Sequence, residues 1–144
     1  MSLKDGLKKM SKSDPSDLSR INLTDDKEQI CNKIKKAKTD PMPMPSDQKN
    51  LSERPEAENL LGIYSSLINQ NLEKSINDFN GKNFSEFKDK LSEILVEKIE
   101  PISKEIKKLL NDQGYLDDVL LDGSIKADKI ASKKIKEIKQ LVGF

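Results

Sequence analysis

Lys8-Lys9-Met10-Ser11-Lys12-Ser13-Asp14-Pro15 is the stretch of this chain best equipped to do chemistry. Lysine ammonium groups and serine hydroxyls are packed together there. Such donors suit the oxygens of a polyphosphate, which need fixed positive charge and hydrogen-bond donors rather than an acid or a base. The stretch lies between Gly6 and Pro15, before any helical pattern starts. A mobile phosphate-gripping loop would look this way. The plain alternative is a solvated, Ser-rich basic loop with no ligand.

Other chemistries are closed off by composition. The 144-residue chain has no histidine, so no imidazole can serve as base or metal ligand. Cys31 is the single cysteine, which excludes an intrachain disulfide and a cysteine-based metal site. With no histidine to activate it, Cys31 reads as a small helix residue. No metal site is expected. No apolar run approaches the about 20 residues of a membrane span, and no secretory-type segment opens the chain. The expectation is a soluble cytoplasmic protein without membrane contact. Net charge is +1. Residues 1–50 carry 11 basic and 8 acidic groups, net +3, and residues 51–144 carry 15 and 17, net −2. Contact with a nucleic acid must then come from local patches.

The elements that position the loop are helical. Charged residues make up 35% of the chain and apolar ones 34%, which suits helices with one apolar stripe each. A first helix is expected from Asp25, capped with Glu28, carrying Ile30, Ile34 and Ala37 inward and Lys33, Lys36 and Lys38 elsewhere. It must stop before Pro41. Pro41-Met42-Pro43-Met44-Pro45 reads as a stiff extended connector, with Ser46–Glu53 continuing it as a loop. Arg54-Pro55 opens a second helix with proline in its favoured first turn, and Leu60, Leu61, Tyr64, Leu67 and Ile68 form its stripe. Asn71 caps a short third helix ending at Gly81. A long helical period runs from Ser85 to Asn111, with a kink or break expected at Pro101. A short helix from Gly114 to Leu121 is expected to stop at Gly123. The last helix, Ser124–Val142, is expected to bury Ala127, Ala131, Ile135, Ile138 and Val142. The fold class is all-α: a bundle of five to seven helices preceded by a loop and a Pro-rich linker.

Lys9-Met10-Ser11-Lys12-Ser13 matches the KMSKS signature of class I aminoacyl-tRNA synthetases letter for letter. It runs into Ser19-Arg20-Ile21-Asn22-Leu23-Thr24-Asp25-Asp26, then Lys36-Ala37-Lys38-Thr39-Asp40, Arg54-Pro55, Asn59-Leu60-Leu61, Tyr115-Leu116-Asp117 and Val142-Gly143-Phe144. This ordered set resembles the C-terminal half of bacterial tryptophanyl-tRNA synthetases, over essentially the whole chain. The Ser-Arg-Ile-Asn and Lys-Ala-Lys-Thr-Asp stretches distinguish it from the tyrosine relatives. Two places depart from the family pattern: Glu56 stands where glycine often follows Arg-Pro, and Ser46–Glu53 lacks a Tyr-Asp-Pro-type sequence.

The resemblance implies activation of tryptophan by ATP, taken as its magnesium complex, and transfer to tRNA(Trp). Residues 1–24 would be the signature loop at the tail of a nucleotide-binding catalytic domain that precedes Met1, and residues 25–144 a helical anticodon-binding domain. Lys9 and Lys12 would contact the ATP phosphates and offset the charge of departing pyrophosphate. Ser11 and Ser13 would donate to phosphate or brace the loop, and Met10 would anchor it inward. ATP and tryptophan would be held mainly by the preceding half, so this stretch alone is expected to be inactive and to bind no cofactor. The full-length protein would be a homodimer and this stretch a monomer. The tRNA-contacting residues expected are Arg54, Lys33 and Lys36, with Lys126, Lys129 and Lys133 on the last helix. The readings from other classes are a free-standing helical RNA-binding module and a helical protein-interaction module.

Overall fold

The computed structural model describes residues 1–143. Six α-helices follow a short 3-10 turn at Asp17–Ser19: α1 Lys27–Lys36, α2 Gln48–Ser52, α3 Pro55–Leu67, α4 Leu72–Phe79, α5 Phe84–Asn111 and α6 Gln113–Val142. The expected all-α class holds. The β-structure among the described residues is an isolated bridge between Ser2 and Asp5. None of the described helices is long and apolar enough to cross a membrane. The chain divides into two compact units, Met1–Lys104 and Glu105–Phe144.

The first unit holds the core. Helix α1 starts one residue later than expected. Asp26 is its cap, accepting from the Gln29 N–H at 2.9 Å while Gln29 Oε1 accepts from the Asp26 N–H at 2.9 Å. That reciprocal pairing satisfies two of the amide groups left over at a helix start, and it frees Asp25 for other work. Ile30 and Ile34 are fully buried, each contributing about 2 kcal/mol of hydrophobic stabilisation. The end of α1 is held from outside. Lys88 Nζ donates to the carbonyls of Lys35 at 3.2 Å and Ala37 at 2.7 Å, and burial pushes its ammonium below the ordinary lysine range.

Ser46–Glu53 is not wholly a loop. Asp47 accepts the Asn50 N–H at 2.8 Å and starts α2, which buries Leu51. The five-residue helix carries a single apolar anchor, too little for a periodic signal. The proline connector in front of it is stitched to the turn after α4. The Met44 N–H donates to the Lys82 carbonyl at 2.8 Å and the Gly81 N–H to the Met44 carbonyl at 3.3 Å. Gly81 has φ +73°, which a residue with a side chain adopts at a cost. Helices α3, α4 and α5 meet around three aromatic rings. Tyr64 and Phe87 each lie edge-on or tilted to Phe79 or to each other, with centroids 4.9–5.9 Å apart. Helix α5 runs unbroken through Pro101. Pro101 and Glu97, whose carbonyl would lose its partner there, are both exposed, so water can satisfy that carbonyl and no break is needed.

The second unit departs most from expectation. Gly114–Leu121 and Ser124–Val142 are not separate helices but parts of α6, and Gly123 lies in its interior. Asp112 caps it by accepting the Tyr115 N–H at 3.0 Å, and Gly143 closes it in the left-handed region at φ +84°. An interior glycine costs about 1 kcal/mol against alanine, a sum that helix formers on both sides offset. Ala127, Ala131, Ile135, Ile138 and Val142, expected inside, are all exposed.

Candidate functional site

The signature loop is fastened to the first unit at both stems. At its entry, the Leu3 N–H donates to the Ser19 carbonyl at 2.9 Å and the Leu3 carbonyl accepts from the Lys38 N–H at 2.8 Å. Gly6 lies against the start of α3 so closely that a Cβ there would stand 2.4 Å from the Pro55 carbonyl carbon. Only glycine permits that approach. Glu56, the residue that departs from the family pattern, acts at this contact. Its carboxylate pairs with Lys38 at 2.8 Å. The Lys38 hydrogen bond leads in holding Glu56 below the ordinary carboxylate range, the Gly6 N–H adding to it, and Glu56 in turn raises Lys38.

Between the stems, Lys8, Lys9 and Lys12 are exposed. The loop bonds to itself: Ser11 and Ser13 hydroxyls lie 3.0 Å apart, the Ser13 N–H donates to Ser11 Oγ at 3.3 Å, and the Ser16 N–H to Asp14 Oδ1 at 2.8 Å. Met10 does not anchor the loop inward. It is 40% exposed, because the local turns turn the segment away from the core. The geometry thus presents ammonium groups outward on a braced backbone. A concavity of about 940 Å³ lies elsewhere, along α1 and α5, and is lined by Cys31, Lys35, Phe84 and Lys88 among others.

Two residues expected to face RNA are otherwise engaged. Lys33 is 3% exposed. Its ammonium pairs with Asp25 at 2.7 Å and with Asp17. Asn22 completes the node, donating its backbone N–H to Asp25 at 2.8 Å and its Nδ2 to Asp17 at 2.8 Å. The Lys33 hydrogen bond, with help from Asn22, holds the Asp17 carboxyl below the ordinary range. Sequence reading missed Asp17, Asn22 and Asp25. The signal was present, since Ile30, Lys33, Ile34 and Ala37 fall at i, i+3, i+4 and i+7, and Lys33 is therefore on the apolar face of α1.

Arg54 is the second. Its guanidinium takes Asp40 in a bidentate grip at 2.9 and 2.6 Å, donates to the Pro43 and Met42 carbonyls at 2.7 and 3.2 Å, and sits 5.6 Å from the Phe84 ring centre. It clasps the proline connector. Lys36, Lys126, Lys129 and Lys133 are exposed, the last three on α6.

The Asp40 clasp has a pH signature. Burial alone would raise the Asp40 carboxyl, but Arg54 and the Met42 N–H outweigh it and hold it below its ordinary value. The native state then binds fewer protons than the unfolded chain. Its contribution is fully present above about pH 4 and is lost as pH falls through the depressed native value. Asp17, Asp47 and Glu56 shift the same way. Urea midpoints are expected to fall as the buffer is taken from about pH 5 to about pH 2, and Asp40→Asn is expected to flatten that fall. A midpoint independent of pH in the parent, or a variant as steep as the parent, would contradict the clasp.

A loop of this kind on a helical unit is what comparison with known proteins returns. The sequence profile of the class I tRNA synthetases (W and Y) matches residues 1–100. The chain belongs to that family.

Within the class I synthetases, proteins named tryptophan–tRNA ligase are similar over the whole chain. Those of Mesorhizobium japonicum and Agrobacterium fabrum are each 50% identical over 144 residues, covering 100% of this chain and 41% of the relative. That of Rickettsia felis is 50% identical, with 43% of the relative covered. The crystal structure of tryptophanyl-tRNA synthetase from Mycoplasma pneumoniae superposes with a TM-score of 0.60 at 28% identity, over 75% of this chain and 34% of that one. The chain spans about two fifths of the length of the curated relatives it matches, and corresponds to their C-terminal portion.

Proposed function

We propose that this chain supplies the ATP-phosphate loop and the tRNA-reading helices of a tryptophan–tRNA ligase. The reaction is activation of tryptophan by ATP to the adenylate with release of pyrophosphate, then transfer to tRNA(Trp). One observation carries the reading: a protein named for this activity shares 50% of positions across all 144 residues, including the segment that displays Lys9 and Lys12 outward. In this reading residues 1–24 close a nucleotide-binding domain and residues 25–144 meet the anticodon. Lys9 and Lys12 act as fixed charges on the leaving pyrophosphate, with Ser11 and Ser13 setting the loop's shape. Of the cations expected to meet RNA, Lys36, Lys126, Lys129 and Lys133 are exposed and open to phosphate contact, Lys126 by exchanging its surface pairing with Asp122 at 2.6 Å, whereas Lys33 and Arg54 are engaged within the fold. Magnesium would arrive with the nucleotide. Among the described residues no cluster of three or more acidic, cysteine or histidine side chains could hold it. The assembled enzyme is taken as a cytoplasmic homodimer, formed mainly through the other half.

The test is a chimera in which this chain replaces the matching portion of the Mesorhizobium japonicum ligase. Retained tryptophan-dependent pyrophosphate exchange and charging of tRNA(Trp) are expected. A folded chimera without exchange would sink the phosphate-loop assignment. Exchange without charging would sink the tRNA assignment alone.

A further inference from the structure

Arg20 is one of two arginines in the chain, and no role has fallen to it so far. It is mostly covered, with 20% of its side chain exposed. One edge of its guanidinium faces the signature loop: Nη1 donates to the Asp14 carbonyl at 3.1 Å and, more weakly, lies 3.5 Å from the Ser11 carbonyl. The other edge faces the exposed side of the Lys33 node. Nε donates to Asn22 Oδ1 at 3.2 Å and Nη2 lies 3.6 Å from Asp17. Asp17 is in turn held by Lys33, in the last turn of α1, and Asn22 by Asp25, just before its start.

The bonds that Ser11, Ser13 and Asp14 make with one another and with Ser16 are local. Among the described residues, Arg20 supplies the hydrogen bonds that reach this backbone from beyond Ser16. Lys12 lies inside the bridged segment. A planar fork with five donors can hold two carbonyls and two side-chain oxygens at once, which an ammonium cannot. The same fork would suit phosphate, but here it is spent on backbone carbonyls and is aimed inward.

We infer that Arg20 is a positioning residue: it fixes the backbone of the signature loop around Lys12 and ties that loop, through Asp17 and Asn22, to Lys33 on α1. The tether is independent of ligand. Its use in aiming Lys12 at a polyphosphate rests on the function proposed above. The arrangement also makes the order of the loop respond to the state of α1, since both draw on the same carboxylates.

The test is backbone 15N relaxation on the full 144-residue chain, read at Ser11–Asp14 and at α1, with melting temperatures alongside. In Arg20→Gln the order parameters at Ser11–Asp14 are expected to drop to below about 0.6, from values nearer the about 0.85 of rigid backbone, while α1 and the melting temperature hold. Arg20→Lys is expected to restore part of the order through the Asp14 carbonyl. Asp17→Asn is expected to loosen the same amides from a distance. Unchanged order at Ser11–Asp14 in Arg20→Gln overturns the inference. So does an equal loss of order in α1, which would make Arg20 a general structural residue. Should Arg20→Gln fail to fold, Arg20→Lys and Asp17→Asn carry the same comparison, and parental order at Ser11–Asp14 in both overturns it. Pyrophosphate exchange by the chimera separates the two claims. A folded chimera without exchange sinks the phosphate reading, while relaxation alone judges the tether.

Discussion

Lys12→Ala in the chimeric ligase is expected to slow tryptophan-dependent pyrophosphate exchange by roughly 10²- to 10³-fold, the loss seen when one preorganised donor is removed from a developing charge. Lys9→Ala is expected to fall in the same range. Both side chains are exposed and sit outside the core, so stability should move by no more than about 0.5 kcal/mol. Rate and fold are thus separable. The role assigned to each lysine needs no proton transfer, and the shape of the pH–rate profile should be unchanged in either variant. Lys12→Arg keeps the charge but replaces a point cation with a wide fork, and an intermediate rate is expected. Ser11→Ala and Ser13→Ala should cost less, because those hydroxyls bond to each other at 3.0 Å and serve the loop's shape first. A Lys12→Ala chimera within about threefold of its parent would mean that its charge is merely solvated, as exposed charges commonly are.

Where a residue's role was set by its neighbours in sequence, the sequence disclosed it. Proline after Arg54, asparagine at position 71 and the stripe through Leu60, Leu61 and Tyr64 all do in space what their spacing implies. The signature loop was legible for the same reason, being one continuous stretch. Roles set by distant partners were not. Arg54 looked like a free guanidinium until Asp40 and the Pro43 carbonyl came around to meet it. Glu56 looked like a departure, and it proves to be the acceptor that secures Gly6 and Lys38. Helix α2 was hidden because a single buried Leu51 has no period. Gly123 misled because a glycine that can end a helix can also be carried through one, and only the summed preference of its neighbours decides. Met10 misled differently: its apolar side chain suggested burial, yet the loop's own hydrogen bonds determine where it points.

Lys33 yields the largest stability effect. Taking its partner away leaves a charge in a place water does not reach, which costs about 3–5 kcal/mol, against a total stability of about 5–15 kcal/mol for a domain. Lys33→Met should fall near the lower end. It strands Asp25, whose side chain is 4% exposed, but Asn22 still gives that carboxylate its backbone N–H at 2.8 Å. Asp25→Asn keeps an acceptor for that N–H and removes the charge, leaving Lys33 with Asp17 alone, a carboxylate 54% exposed and partly screened. In the double variant neither charge is buried. Its loss should be close to that of one single variant rather than the sum, a coupling of about 2–3 kcal/mol in a double-mutant cycle. Added salt should barely alter that coupling, since a pair out of contact with water is screened little. The same cycle decides between the two views of Lys33. A surface lysine used for RNA predicts a Lys33→Met protein of parental stability with weaker, salt-dependent tRNA binding. A lysine that organises the start of α1 predicts a destabilised protein whose stability returns in part when Asp25 is neutralised as well. Urea unfolding of the four proteins gives the answer, and a Lys33→Met loss below about 1 kcal/mol would put the ammonium back at the surface.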